Sequence, residues 1–203
     1  LLLLSSVGVL GYSQINITSG GSHSTCPDTF VDSGGTGGAY VDSEDYTITF
    51  CSTVPGQAVK IDFTVFDTEG GIDEVTIYDG NSIAAPILAV YSGTTLPAAV
   101  TGTTTNATGC LTIRFTSDTS VTGAGWEATI SCAAPVTGPI VMQNGSASVC
   151  SGTFVDAGGF GDYSANENFT YTICPSTPGQ AIELNFSDIT IDATDTMTIY
   201  DGN

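Results

Sequence analysis

The chain has 203 residues, of which 41% are hydrophobic and only 11% charged; 2 Lys or Arg stand against 21 Asp or Glu, for a net charge of -19. So few cations cannot neutralise a phosphate backbone or hold an anionic lipid surface, which excludes nucleic-acid binding and electrostatic membrane attachment. The hydrophobic content sets the chain apart from disordered acidic tails, while 31 Thr and 25 Gly favour pleated strands joined by tight turns.

Residues 1–13 run from Leu1-Leu2-Leu3-Leu4 through Leu10 to Gly11-Tyr12-Ser13. An apolar run ending in small residues resembles the last part of a secretory signal peptide. It is shorter than the ~20 apolar residues that span a bilayer. The expectation is a secreted, extracellular or cell-surface protein with no membrane insertion.

From there the local patterns are β. Tyr46–Phe50, Val59–Phe63 and Leu111–Phe115 alternate apolar and polar residues, and Glu74–Tyr78 is a β-branched run. Glycine and Asx clusters punctuate them at 32–38, Gly70-Gly71, Asp79-Gly80-Asn81 and 123–125. Many short strands separated by such turns indicate an all-β, antiparallel jelly-roll β-sandwich.

The chain also repeats itself. Thr29-Phe30-Val31-Asp32-Ser33-Gly34-Gly35 returns as Thr153-Phe154-Val155-Asp156-Ala157-Gly158-Gly159, and Thr76-Ile77-Tyr78-Asp79-Gly80-Asn81 as Thr198-Ile199-Tyr200-Asp201-Gly202-Asn203. Between them Tyr40 matches Tyr163, Glu44 matches Glu167, Cys51 matches Cys174, and Pro55-Gly56-Gln57-Ala58 matches Pro178-Gly179-Gln180-Ala181. A repeat this long with its own cysteines predicts tandem domains, not a solenoid. The predicted organisation is a signal remnant over 1–13, a first domain over 14–134, a linker over 135–139, and a truncated second copy over 140–203. The six cysteines contain no CxxC pair and are read as disulfides of an exported protein. Because Cys26 and Cys51 recur together as Cys150 and Cys174, the repeat predicts bridges Cys26–Cys51, Cys110–Cys132 and Cys150–Cys174.

Candidate chemistry is sparse. The single histidine, His23, lies among Ser and Gly, a poor setting for a rigid His–Ser pair. Asp32-Ser33-Gly34 matches an aspartic-protease signature, but its repeat reads Asp156-Ala157-Gly158 and lacks the hydroxyl; an Asx–Gly turn is the simpler reading. No enzyme is expected. The sharper signal is acidic: Phe66-Asp67-Thr68-Glu69-Gly70-Gly71-Ile72-Asp73 recurs with Asp192 for Glu69 and Asp195 for Asp73, and Asp118 sits in a later loop. Carboxylates gathered at one end of a sandwich repel unless a cation lies among them. Hard oxygen ligands suit Ca²⁺, which takes about six to eight of them; zinc and copper would want His or thiolate.

Taken in order, Phe66-Asp67-Thr68-Glu69, Asp73, Tyr78-Asp79-Gly80, Phe115-Thr116-Ser117-Asp118-Thr119-Ser120 and Gly125-Trp126 resemble the pattern of a CUB domain, of a divergent kind like the modules of large secreted bacterial proteins. The chain lacks the family's usual bridge across the second-strand hairpin, has a shorter Glu-to-Asp loop, and carries Cys110 and Cys132 instead. The resemblance implies a jelly-roll sandwich that binds partners without catalysis. It further implies that Glu69, Asp73 and Asp118 hold Ca²⁺ with help from a carbonyl near Ser120, that Asp192 and Asp195 do so in the second copy, and that the acids receive a Lys from an extracellular protein ligand.

The leading expectation is therefore a non-catalytic, Ca²⁺-dependent adhesion or recognition module within a larger secreted protein. One alternative is a carbohydrate-binding sandwich for a glycan ligand, with Tyr91 or Trp126 as stacking platform, although Trp126 sits in a strand pattern that favours the core. Another is an accessory domain of a secreted enzyme such as a peptidase.

Overall fold

The structure is a computed structural model that describes residues 14–187 and 189–202; the expected signal remnant over 1–13 lies outside the described residues. Ten strands fall between Gln14 and Ala133: β1 (Gln14–Asn16), β2 (Gly21–Ser24), β3 (Asp28–Val31), β4 (Asp45–Cys51), β5 (Ala58–Asp67), β6 (Glu74–Tyr78), β7 (Ile87–Tyr91), β8 (Val100–Thr101), β9 (Cys110–Thr116) and β10 (Gly125–Ala133). They form two five-stranded sheets, ordered β1-β3-β10-β5-β8 and β2-β4-β9-β6-β7. The four strands read from sequence all appear, and the β-branched run at Glu74–Tyr78 is β6 itself.

The inner faces of the two sheets supply one core. Phe30, Ile61, Trp126 and Ile130 from the first sheet, and Ile48, Phe50, Ile77, Leu111, Ile113 and Phe115 from the second, are almost wholly removed from water. Burial of each such side chain is worth ~1.5–3 kcal/mol. Trp126 is 1% exposed, as its strand pattern predicts. The alternation that marks β4 and β9 follows from their pairing, Ile48 opposite Ile113 and Phe50 opposite Leu111. Two pairs depart from a purely antiparallel design: β1 runs parallel to β3, and β2 parallel to β4.

The disulfides correct the expected pairing. The structure joins Cys26 to Cys132 and Cys51 to Cys110, not Cys26 to Cys51 or Cys110 to Cys132. Sheet register explains both. Cys51 lies directly opposite Cys110 on antiparallel β4 and β9. β3 runs antiparallel to β10 with Asp28 opposite Ile130, so two residues further along each chain Cys26 meets Cys132. Sequence neighbourhood was the wrong guide, because Cys26 leads into β3 and Cys132 lies on β10 of the same sheet, whereas Cys51 and Cys110 lie on β4 and β9 of the other. Cys150 and Cys174 are not joined to each other either.

Residues 135–139, expected as a linker, are tied to the first unit: Val136 N–H donates to Gly102 O at 3.1 Å, and Thr104 N–H to Val136 O at 2.8 Å. Beyond them β11 (Ile140–Val141) pairs in parallel with β13 (Phe154–Val155), and β12 (Gly145–Val149) with β14 (Tyr171–Pro175). These pairs copy the register of β1–β3 and β2–β4: Ile140 faces Phe154 as Ile15 faces Phe30, and Gly145 faces Tyr171 as Gly21 faces Ile48. Among the described residues no strand follows β14, and the apolar Leu184, Phe186 and Ile199 are exposed.

Candidate functional site

Three loops meet at one end of the sandwich. The first joins β5 to β6. Its start is fastened to the turn after β7: Thr68 N–H donates to Gly93 O at 2.9 Å, and Gly93 N–H to Thr68 Oγ1 at 3.0 Å. Thr68 Oγ1 then donates to Asp73 O at 3.0 Å, and Asp73 N–H to Glu69 O at 3.1 Å. The chain reverses between them through Gly71, whose φ of 76° is readily adopted only by glycine. This compact turn brings Glu69 and Asp73 to the same side.

The second loop follows β9, and the third precedes β4. They are sewn together through Ser117, which accepts from Glu44 N–H at 2.9 Å and donates to Val41 O at 3.0 Å. Ser43 N–H donates to Asp118 O at 2.5 Å, with Ser43 held at a φ of 62°. Asp118 N–H in turn donates to Asp73 Oδ1 at 3.0 Å. Tyr40, at the root of the third loop, donates from its hydroxyl to Asp73 Oδ2 at 2.5 Å and accepts from Glu69 N–H at 3.1 Å. Burial first, and then this donation to Asp73, push the Tyr40 phenol up to about 12.

One carboxylate oxygen each from Glu69, Asp73 and Asp118 lies within 4.8 Å of the other two. Asp73 is fully buried, Glu69 half-buried and Asp118 exposed. Such spacing accommodates an ion whose oxygen ligands stand about 2.3–2.6 Å away. Within the group, Glu69 Oε2 is removed from water and has no hydrogen-bond partner. Burial raises the Glu69 carboxyl above its ordinary value, and the charges of Asp118, Asp73 and Asp42 raise it further. A buried, partnerless carboxylate oxygen beside two other acids is what a cation would satisfy, and an all-oxygen donor set fits Ca²⁺ better than a softer metal. Ser120 belongs to the same loop as Asp118, and its N–H donates to Asp118 Oδ1 at 2.8 Å.

The site stands on the core. Tyr40 packs edge-on against Phe115 at a centroid distance of 4.9 Å, Phe115 against Trp126 at 4.9 Å, and Trp126 against Phe30 at 5.8 Å. Tyr40, Thr68 and Ser117 were not assigned roles from sequence. The signal for Tyr40 was its recurrence as Tyr163; Thr68 and Ser117 are lost among the many hydroxyl residues of this chain.

In the second stretch the same hydrogen bonds recur. Tyr163 donates to Asp195 Oδ2 at 2.8 Å and accepts from Asp192 N–H at 2.9 Å. Asn166, the counterpart of Ser43, has a φ of 63°. Asp192 is held below the usual carboxylate range by donation from Thr194 N–H and Oγ1. Both acids are exposed.

The other sequence candidates resolve differently. Asp32 accepts from Gly34 N–H at 2.7 Å and from Trp126 N–H at 2.7 Å, an Asx turn leaving β3. His23 bonds through Nε2 to Gly20 O at 2.9 Å and leans on Phe50. Of the two glycan-platform candidates, Trp126 is in the core, while Tyr91 is half-buried and packs edge-on against Phe63 and Phe66.

Comparison with known proteins places the fold. Residues 31–130 match the CUB domain family. The chain is 28% identical to human cubilin over 165 residues, covering 73% of this chain and 4% of cubilin. It is 26% identical to the Caenorhabditis elegans zinc metalloproteinase nas-39 over 162 residues, covering 74% of this chain and 16% of that protein. The chain thus spans a small part of the curated relatives it matches. Among solved structures, the MASP-1 CUB2 domain bound to Ca²⁺ aligns with a TM-score of 0.44 at 20% identity, over 55% of this chain and 97% of that domain. The CUB1-EGF-CUB2 domain of human MASP-1/3 aligns with a TM-score of 0.46 at 18% identity, over 56% of this chain and 42% of that one. CUB domains are extracellular interaction modules, generally without catalytic activity. Residues 31–130 of the chain are therefore a CUB domain.

Proposed function

We propose that the chain is a non-catalytic, secreted recognition module in which Ca²⁺, held by Glu69, Asp73 and Asp118, orders the three loops and exposes their acids to a protein partner. The observation that carries this reading is the convergence of three carboxylates within 4.8 Å, one of them with a buried and partnerless oxygen. Three acids against one divalent ion leave net negative charge, and Asp42 adds to it on the neighbouring loop. The complementary group is a basic side chain, and a Lys presented by an extracellular protein fits the compact site. The carbonyl near Ser120 would complete the ion's shell.

Residues 140–203 are read as part of a second CUB-like unit, with Asp192 and Asp195 among its ligands. Repeated strand registers and the repeated Tyr163 hydrogen bonds support that reading. An accessory place beside a peptidase is the second reading, favoured by the similarity to a zinc metalloproteinase over 16% of its length.

Calorimetric titration of the 203-residue chain with CaCl₂ tests the proposal. Saturable binding that is lost in Glu69→Ala supports it. No heat of binding, or binding unchanged in Glu69→Ala and Asp118→Ala, contradicts it.

A further inference from the structure

The loops that bring the acids together also carry apolar side chains that the fold does not bury. Val41 follows Tyr40 and is 61% exposed; Ile72 precedes Asp73 and is 49% exposed; Val121 follows Ser120 and is 64% exposed. Single exposed apolar residues are ordinary on a soluble surface. These three differ because they occupy the same hydrogen-bonded loops as Glu69, Asp73 and Asp118. Val41 O accepts from Ser117 Oγ, Ile72 N–H donates to Glu69 O, and Ser43 N–H donates to Asp118 O.

Val121 has a φ of 66°, a backbone region that a β-branched residue rarely enters and that concentrates at binding sites. A Gly or Asn would suit the turn better, so turn geometry alone does not account for valine there. The second stretch gives an internal comparison. It keeps the tyrosine and both acids, yet Ser164 stands where the first unit has Val41, and Thr194 where it has Ile72. The acids recur while the border changes from apolar to polar.

We infer that Val41, Ile72 and Val121 form an apolar border around the acid cluster, and that the partner docking there is a protein segment whose Lys is flanked by aliphatic side chains. This rests on the Lys-capturing function proposed above and adds what selects among basic partners. The acids supply charge complementarity and fix where the Lys head goes. The border desolvates the Lys stem and covers the neighbouring aliphatic groups.

The test uses the 203-residue chain in millimolar Ca²⁺ over immobilised peptides Gly-Leu-Lys-Leu-Gly, Gly-Ser-Lys-Ser-Gly and Gly-Leu-Gln-Leu-Gly, read by surface plasmon resonance. The leucine-flanked Lys peptide should bind roughly tenfold more tightly than the serine-flanked one, the scale of one apolar side chain buried. The glutamine peptide should bind no better than the serine-flanked one. Val41→Ser/Ile72→Thr, which installs the residues of the second stretch, should remove the preference for leucine while leaving the Ca²⁺-induced thermal shift intact.

Equal binding of the two Lys peptides overturns the apolar border and leaves Lys capture standing. A leucine preference that persists in the variant also overturns the border, and tight binding of the glutamine peptide overturns the requirement for Lys. Failure of every Lys peptide, with the Ca²⁺ shift intact, overturns the border together with Lys capture.

Discussion

The Tyr40 hydroxyl donates to Asp73 Oδ2 while accepting from Glu69 N–H, so one side chain fixes two of the three acids that meet at the end of the sandwich. Its ring is wedged edge-on against Phe115 in the core. Tyr40→Phe keeps that packing and removes only the oxygen. Asp73, fully buried, would then lose one of its hydrogen-bond donors at a cost of about 1–3 kcal/mol. Thermal or urea unfolding of the full chain should show this loss, and Ca²⁺ titration should show weakened affinity with the fold retained. An unchanged melt and unchanged affinity would mean that the hydroxyl positions nothing.

Peptide mapping under non-reducing conditions should recover Cys26 linked to Cys132 and Cys51 linked to Cys110. The first bridge spans 106 residues, and closing a loop of that size is worth about 4.7 kcal/mol in the chain-entropy description. Cys26→Ala/Cys132→Ala should therefore destabilise the sandwich strongly. A Cys26–Cys51 peptide in the map would contradict the register that places β3 beside β10.

The acid cluster also predicts a pH dependence of opposite sign with and without Ca²⁺. The Glu69 carboxyl is raised above its ordinary 4.5, by burial first and by neighbouring acids second. In EDTA the folded state therefore takes up its proton more readily than the unfolded state. The stability this gives is fully present below the ordinary value and is lost as pH rises through the raised one. With Ca²⁺ the ionised form is the ligand, so the Ca²⁺-dependent gain in melting temperature should grow over that same rise in pH. Glu69→Gln should flatten both trends. A Ca²⁺ gain independent of pH between 4 and about 7 would remove Glu69 from the site.

Much of this architecture was legible because period-2 alternation survives in strands with one buried face. β4, β5 and β9 alternate clearly, and their partners on the facing sheet explain why. β7 and β10 were less visible, since Ile87–Tyr91 is an apolar run without alternation and Gly125-Trp126 opens β10 out of a glycine-rich turn. The disulfides were misread because pairing follows sheet register, and register joins Cys51 to a strand that begins 59 residues later. The three acids were legible from spacing and family pattern together. Their supports were not: Thr68, Ser117 and the backbone of Val41 act through hydrogen bonds between distant loops, which no local pattern records.

A divalent ion that completes the Glu69, Asp73 and Asp118 cluster must stabilise the folded state on binding. The most direct measurement is the thermal melt of the 203-residue chain, disulfides intact, in EDTA and in millimolar Ca²⁺, beside Glu69→Ala/Asp118→Ala. Ca²⁺ at about 100 times its dissociation constant should add about 2.7 kcal/mol, a rise of several degrees for a domain of this size, and the double variant should lose it. A well-folded chain whose melt is the same in EDTA and Ca²⁺ would contradict the account and leave these acids as a solvated rim.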